Sequence, residues 1–137
     1  RIGVAVSDAL NITAQGKGYI RRSDLRKDLE EIKDYIEKYD VDELIVGMPK
    51  NMDGSLGPRA NKTQEFINFL NNNLDITIKT WDERLSSKEA ERILIKADVS
   101  RSNRKEVIDK MAASLILDSY LQANYKIRRN NDEQRRR

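Results

Sequence analysis

Short apolar runs alternate along this chain with longer segments in which apolar residues recur every three or four positions. Residues 1–6 (RIGVAV), 43–48 (ELIVGM) and 75–81 (DITIKTW) are runs of the first kind and are rich in β-branched residues. Such runs predict buried strands. A further strand is predicted at about residues 16–22 (GKGYIRR), where it would form an antiparallel pair with the first.

The longer segments carry the apolar spacing of amphipathic helices, and several begin with recognisable start signals. Ser23 is a predicted N-cap, and Pro58 stands where a helix tolerates proline, in its first turn. Ser86 with Glu89 forms a capping box. The predicted helices cover about residues 24–39, 58–72, a segment from 86 onward, and 105–127.

The order of these elements predicts an α/β fold, with a mixed sheet covered by helices. An antiparallel pair comes first, and two apolar strands, each succeeded by a helix, follow it. Functional sites in such sheets collect at the C-terminal ends of the parallel strands. The loops at those ends are PKNMDGSLG and WDERLSS, so the search for chemistry narrows to them.

Composition restricts that chemistry sharply. The chain has 137 residues, the size of one domain, and contains neither Cys nor His. Disulfides, thiolate catalysis and Cys-based metal sites are therefore excluded, and a site has to use carboxylates, Lys, Arg, Tyr or hydroxyls. Hard, oxygen-bound cations are the expected metals. No apolar run is long enough to span a membrane and no signal-peptide pattern is visible, which predicts a cytoplasmic protein.

The positive charge is concentrated at the C-terminal end. The chain carries +3 overall, but residues 126–137 (KIRRNNDEQRRR) carry +4, which leaves the preceding residues close to neutral. We therefore predict a domain over residues 1–125 and a basic, disordered tail over 126–137. Such a tail can bind phosphate through salt-sensitive contacts.

Two acids stand at the exit of the last predicted strand. Side-chain alternation directs one of Asp82 and Glu83 to each face of the sheet, so that one of them can be buried or poised for chemistry. The simpler interpretation is that one caps the helix beginning near Ser86 and pairs with Arg84.

Asp109 is a third candidate acid, in the last predicted helix. Ala112 and Ala113, three and four positions on, would let its carboxylate approach a neighbouring element closely. The simpler interpretation places Asp109 on a solvated helix face, paired with Lys105.

Basic residues accompany these acids in two loops. The loop GMPKNMDGSLGPR contains Lys50, Asn51 and Arg59 and ends at a helix N-terminus, which suits a phosphate. The simpler interpretation is a tight turn at 53–54 followed by a helix start. Its spacing matches neither a Walker A motif nor a dinucleotide fingerprint. Arg101, in VSRSNRK, likewise suits either phosphate or a polar loop.

Four segments together resemble the YqgF/RuvX family in order and spacing: RIGVAVSD, VGMPKNMDGSLGPRA, WDERLSSKEAE and VSRSNRKEVIDKMAASLIL. Members of this family are described as Holliday-junction resolvases or as nucleases for the 5′ end of pre-16S ribosomal RNA. The resemblance extends to about Tyr125. It implies an RNase H-like fold, a five-stranded mixed sheet of order 3-2-1-4-5 flanked by helices, and divalent-metal-dependent phosphodiester hydrolysis.

The resemblance also implies roles for individual residues. Glu83 and Asp109 match two members of the family's acidic triad and would be catalytic ligands of Mg²⁺ or Mn²⁺. Such crowded carboxylates would titrate as a coupled set. The residues that match other motif positions, and are expected at the phosphate backbone, are Lys50, Asn51, Arg59, Arg84 and Arg101.

One family feature is absent from the sequence. A strand of pattern LGLDxGxK normally precedes RIGVAVSD, carries the first triad acid and lies at the centre of the sheet. Without it, two strand edges would be unpaired in the core. We therefore expect the natural protein to contain a further N-terminal segment, and residues 1–137 alone to bind metal weakly and not to cleave. Asp8 is too far along the next strand to replace the missing acid.

The sequence thus predicts a metal-dependent endonuclease that processes the 5′ end of pre-16S ribosomal RNA in ribosome biogenesis. Branched DNA is the alternative substrate, as for a Holliday-junction resolvase. A second hypothesis is a non-catalytic module that binds nucleic acid or the ribosome, and a third is a nucleotide phosphotransferase that uses the Gly-rich loop. The leading two share nucleic acid as the expected partner, and no membrane is expected.

Overall fold

The chain forms an α/β fold, as its apolar pattern predicts. The computed structural model describes residues 2–51, 53–82, 92–93, 95–96 and 101–135. Residues 92–93 and 95–96 are helical. The principal elements in chain order are β1 (Ile2–Ser7), β2 (Ala14–Ile20), α1 (Leu25–Lys38), β3 (Glu43–Met48), α2 (Pro58–Asn73), β4 (Thr77–Asp82) and α3 (Arg101–Arg135).

The four strands form two pairs of opposite type. β1 and β2 are antiparallel, with Ile2 opposite Ile20 and a register shift between Val4 and Ala5. β3 and β4 are parallel, with Met48 opposite Asp82 at their C-terminal ends. In the part of the chain that the structure describes, these pairs are two separate two-stranded sheets. The predicted antiparallel pair is therefore confirmed, whereas a single five-stranded sheet is not seen.

One apolar core nevertheless joins the two sheets. Leu70 of α2 is 1% exposed and clusters with Ile20 of β2 and with apolar residues of α1. Val4 of β1 and Leu44 of β3 pack against the same cluster. Because both sheets bury their apolar faces in one cluster, they belong to one domain.

The connection between β1 and β2 is held by Asp8. Its Oδ1 accepts hydrogen bonds from the backbone N–H groups of Ile12 (2.7 Å) and Thr13 (3.2 Å). These two bonds favour the ionised carboxylate and lower the pKa of Asp8 below its ordinary value of 3.8. β2 begins at Ala14, two residues before the predicted start, because this loop closes early.

The lowered pKa of Asp8 predicts a pH-dependent effect of Asp8→Ala on thermal stability. A carboxyl whose pKa is lower in the folded state stabilises the fold above its unfolded pKa and loses that contribution as the pH falls. The melting temperature of Asp8→Ala should therefore lie below that of the wild type at pH 7, and the difference should shrink between about pH 5 and pH 2. Asp8→Asn keeps an acceptor oxygen and should show a smaller difference. If the melting temperatures of Asp8→Ala and the wild type differed by the same amount at every pH, the ionised Asp8 carboxylate would not be the source of the stabilisation.

The start of α1 differs from the prediction by one residue. Asp24, rather than Ser23, is the N-cap, and its carboxylate accepts from the backbone N–H of Lys27 at 2.9 Å. The Ser23 N–H donates instead to the carboxylate of Asp28, which is 1% exposed and lies 3.9 Å from Arg22 Nε. Asp28 thereby fixes the connection from β2 into α1.

The last helix is longer at both ends than predicted. α3 begins at Arg101, before the expected start at Lys105, and its helical backbone continues to Arg135. Residues 126–135 are thus helical where a disordered tail was expected. The segment contains no Gly or Pro and consists largely of residues with good helix propensity, so nothing in the sequence terminates the helix. None of the helices in the described part of the chain has the length and apolar character needed to cross a membrane.

Candidate active site

The C-terminal ends of β3 and β4 lie side by side, because the two strands are parallel and Met48 pairs with Asp82. The basic loop that follows β3 and the acidic segment that follows β4 therefore leave from the same edge of this sheet. That edge is where the topology predicts a site. On the β4 side of this edge, the described residues run to Asp82; on the β3 side they include the loop to α2 except residue 52.

The predicted site residues fall into three groups. Glu83 and Arg84 lie outside the described residues. Asp109 and Arg101 have helical backbone in α3, but their side chains lie outside the described set, and Arg101 belongs to the helix rather than to a preceding loop. The residues that are described with their side chains are Lys50, Asn51 and Arg59.

The loop after β3 closes through a tight turn, as the simpler interpretation predicts. The Asn51 N–H donates to the Ser55 carbonyl at 2.9 Å, and the Gly54 N–H donates to the Asn51 carbonyl at 2.8 Å. Gly54 has a φ of 89°, a conformation that favours glycine. Asn51 Nδ2 also donates to Ser55 Oγ at 3.0 Å, and this hydroxyl donates to Asp53 Oδ1 at 2.6 Å. The Asn51 side chain therefore organises the loop itself.

The first turn of α2 carries partial positive charge, and no acidic residue stands within that turn. Gly57 is the N-cap and offers no side-chain hydrogen bond, and Pro58 follows. A Cβ on Gly57 would lie 3.4 Å from the Asn51 side chain, so the loop packs closely against the helix start. Arg59, within this turn, and Lys50, in the loop before it, are both exposed. The arrangement is suited to an anion such as a phosphate.

One face of β4 points into the core beside α2, and α3 covers the other face. Ile78 packs into the core towards α2, whereas Lys79 and Trp81, which alternate with it, contact α3. The Trp81 Nε1 donates to Ser119 Oγ at 3.1 Å, and the Trp81 ring meets the Tyr120 ring edge-on at 5.4 Å between centroids. The strand that leads towards the acids is thus fixed between two helices.

A polar cluster, Glu43, Lys79 and Tyr120, lies on this face of the sheet. The Tyr120 hydroxyl donates to the Glu43 carboxylate and accepts from Lys79 Nζ at 3.3 Å, and Lys79 Nζ lies 3.4 Å from the Glu43 carboxylate. The hydrogen bond with Tyr120 and the charge of Glu43 together raise the pKa of Lys79. Sequence reasoning did not find this cluster, because its members are up to 77 positions apart and share no motif.

The predicted metal ligands are two carboxylates, Glu83 and Asp109. Among the described residues, no three His, Cys, Asp or Glu side chains are grouped closely enough to hold a metal ion. The side chains of Glu83 and Asp109 lie outside the described residues, so this observation does not concern them. In a chain without His or Cys, two carboxylates are the donor type that fits Mg²⁺ or Mn²⁺.

Comparison with known proteins agrees with the motifs. Residues 1–123 match the model of the RuvX family, described as "Holliday junction resolvase". A protein of Halothermothrix orenii named "Putative pre-16S rRNA nuclease" is 63% identical over 127 residues, which cover 93% of this chain and 91% of the relative.

Two further relatives carry the same name. The protein of Natranaerobius thermophilus is 54% identical over 131 residues, covering 96% of this chain and 92% of its own length. The protein of Desulfitobacterium hafniense is 55% identical over 120 residues, which cover 88% of this chain and 83% of the relative. With a family match over nearly its whole length and relatives of this similarity, the chain belongs to the RuvX family.

Proposed function

We propose that this protein is a metal-dependent endonuclease that processes the 5′ end of pre-16S ribosomal RNA. Membership of a family of Holliday junction resolvases, together with relatives named as nucleases, makes it a hydrolase that acts on phosphodiester bonds. The observation that carries the choice of RNA is the 63% identity, over 93% of the chain, to a relative named for pre-16S rRNA. Branched DNA is the competing substrate, favoured by the family description.

The proposed metal ligands are Glu83 and Asp109. Lys79 and Trp81 face α3, and the strand that carries them leads directly to Glu83 in the sequence. Position 109 precedes Tyr120 by eleven residues, about three helical turns, which supports a location on the same side of α3. When bound between carboxylates, Mg²⁺ or Mn²⁺ can activate water and stabilise the leaving oxygen.

The proposed contacts to the RNA backbone lie on the other side of the same sheet edge. Lys50 and Arg59 are exposed there, beside the uncapped first turn of α2. Asn51 is proposed to act mainly by holding the loop shape, because its side chain bonds to Ser55. Arg84 and Arg101 are assigned to the same backbone contacts through their motif positions.

The proposal includes an RNase H-like sheet of five strands. Within the described residues, β1 pairs only with β2 and β3 only with β4, although both pairs share one core. A fifth strand between β1 and β3 would pair with the free edge of each of these two strands. The sheet would then have the order β2, β1, fifth strand, β3, β4, which is the order that the family resemblance implies. Amide hydrogen exchange on the natural full-length protein should therefore show slow exchange along both of these edges.

Cleavage of defined substrates tests the proposed function. The natural full-length protein should shorten the 5′ end of a pre-16S RNA precursor in the presence of Mg²⁺ or Mn²⁺, and chelation of the metal should abolish the reaction. A four-way DNA junction in parallel reactions distinguishes the two substrates. If the protein cleaves only the junction, its activity is junction resolution and not RNA processing. If it cleaves neither substrate, the proposal is wrong.

The basic end of α3 favours a separable binding role. Residues 126–137 carry +4. Each contact between a basic side chain and a phosphate steepens the slope of log K against the logarithm of the salt concentration by about 0.7 to 0.9. Deleting this segment should weaken RNA binding by about tenfold or more at low salt and flatten its salt dependence, with little change in kcat. Exchanging Arg135, Arg136 and Arg137 for Lys keeps the charge and should preserve binding. Unchanged binding after the deletion would exclude this role.

A further inference from the structure

Three consecutive residues of α3 attach this helix to both sheets. The Asp118 carboxylate accepts from the backbone N–H of Ala14 in β2 at 2.8 Å. Ser119 accepts from the Trp81 indole in β4, and Tyr120 bonds with both Glu43 and Lys79. None of these contacts involves a residue assigned above to metal or RNA.

Tyr120 is the centre of this attachment. It is only 7% exposed, yet its hydroxyl acts as both donor and acceptor in the Glu43 and Lys79 cluster. Its ring meets Trp81 at an angle of 83°. If the helix rotated or slid, the Tyr120 hydroxyl would lose both hydrogen bonds and its ring would lose the edge-on contact with Trp81. The cluster therefore selects one orientation of α3 against β3 and β4.

The orientation of α3 matters most for a side chain that has to meet a group on another element. Position 109 lies about 16 Å along the helix from Tyr120 and at nearly the same angle around its axis. Side-chain atoms lie about 5 Å from that axis, so a rotation of about 20° displaces them by about 2 Å. Metal–ligand distances tolerate only about 0.2 Å.

We propose that Tyr120 is a positioning residue for the metal site, which fixes the rotation and register of α3 and thereby sets Asp109 against the strand that leads to Glu83. This inference rests on the proposed function. Glu43 and Lys79 share the role by holding the hydroxyl, and Trp81 shares it by holding the ring. A residue that only packs would contribute to stability without affecting metal affinity.

Tyr120→Phe in the natural full-length protein tests the inference, because it keeps the ring and removes the hydroxyl. Titration with Mn²⁺, followed by the electron paramagnetic resonance signal of the free ion, should show half-saturation at a concentration about three- to tenfold higher. KM for the RNA should change less than the Mn²⁺ half-saturation does, since Lys50 and Arg59, two of the proposed backbone contacts, belong to the α2 side of the site and not to α3. The emission of Trp81, the single tryptophan of the chain, should change as its ring environment loosens.

Conservative variants separate positioning from simple loss of stability. Glu43→Gln keeps an acceptor for the Tyr120 hydroxyl and should bind Mn²⁺ nearly as the wild type does, whereas Glu43→Ala should resemble Tyr120→Phe. Tyr35→Phe, the same change on α1, should leave Mn²⁺ affinity unaltered. Ile32→Val, in the core, should lower the melting temperature without weakening Mn²⁺ binding.

Three results would overturn the inference. Wild-type Mn²⁺ affinity in Tyr120→Phe, with Asp109→Asn still abolishing cleavage, would leave the proposed function standing and remove the positioning role. An equal loss of Mn²⁺ affinity in Ile32→Val would show that general stability is responsible. If Asp109→Asn neither weakens Mn²⁺ binding nor slows cleavage, the proposed function fails and the inference fails with it.

Discussion

Replacing Glu83 or Asp109 by its isosteric amide should reduce cleavage of a pre-16S RNA precursor by on the order of 10³-fold, a loss typical of removing one strong charge-stabilising group. Gln and Asn preserve the volume and one carbonyl oxygen but remove the negative charge that a divalent cation requires. Rates should be measured under single-turnover conditions in Mg²⁺ and in Mn²⁺, because this separates the chemical step from product release.

A matched carboxylate at the other end of the sheet supplies the control. Asp75 is exposed and precedes β4, far from the strand ends that carry the candidate site. Asp75→Asn should cleave at the wild-type rate. RNA binding by Glu83→Gln and Asp109→Asn should persist, since the proposed backbone contacts are intact. Wild-type cleavage by either amide variant would show that the acidic pair has been assigned incorrectly.

Leu70→Ala should lower the free energy of unfolding by about 2–5 kcal/mol, the range for a buried leucine that leaves a cavity. Leu70 is 1% exposed and lies in the cluster against which both sheets pack. The cavity should therefore weaken both sheets at once. Urea denaturation followed by Trp81 fluorescence and by far-ultraviolet circular dichroism should show the two midpoints falling together.

The control for this prediction is Leu56→Ala. Leu56 is 64% exposed, in the loop before α2, and its truncation should change stability by less than about 0.5 kcal/mol. If Leu70→Ala separated the fluorescence transition from the dichroism transition, the two sheets would unfold independently. The shared core described above would then be wrong.

Local patterns were sufficient to predict most of the elements. β3 is found at the predicted residues 43–48, because a short apolar run between polar segments has few alternatives. The errors occur where side chains compete for backbone groups. Asp8 closes the first loop early, and Asp28 binds the Ser23 N–H, which shifts the cap of α1 to Asp24.

The candidate site was predictable only in part, for a related reason. The basic loop was found because Gly and Pro mark its turn and the start of α2. The cluster around Tyr120 left no local signal, since it joins the start of β3, the middle of β4 and a distant helix. The end of α3 was misplaced because charged residues predict solvent exposure equally well in a helix and in a disordered segment.

The attachment of α3 has a consequence for how the protein is made. The bond between Ala14 and Asp118 spans 104 positions, and the bond between Glu43 and Tyr120 spans 77. Contacts this distant in sequence require the closure of long loops, which costs conformational entropy. α3 follows all the other described elements, so during synthesis it leaves the ribosome after them. One proposed metal ligand travels with it, so a nascent chain would gain nuclease activity only after α3 had left the ribosome and docked on the two sheets.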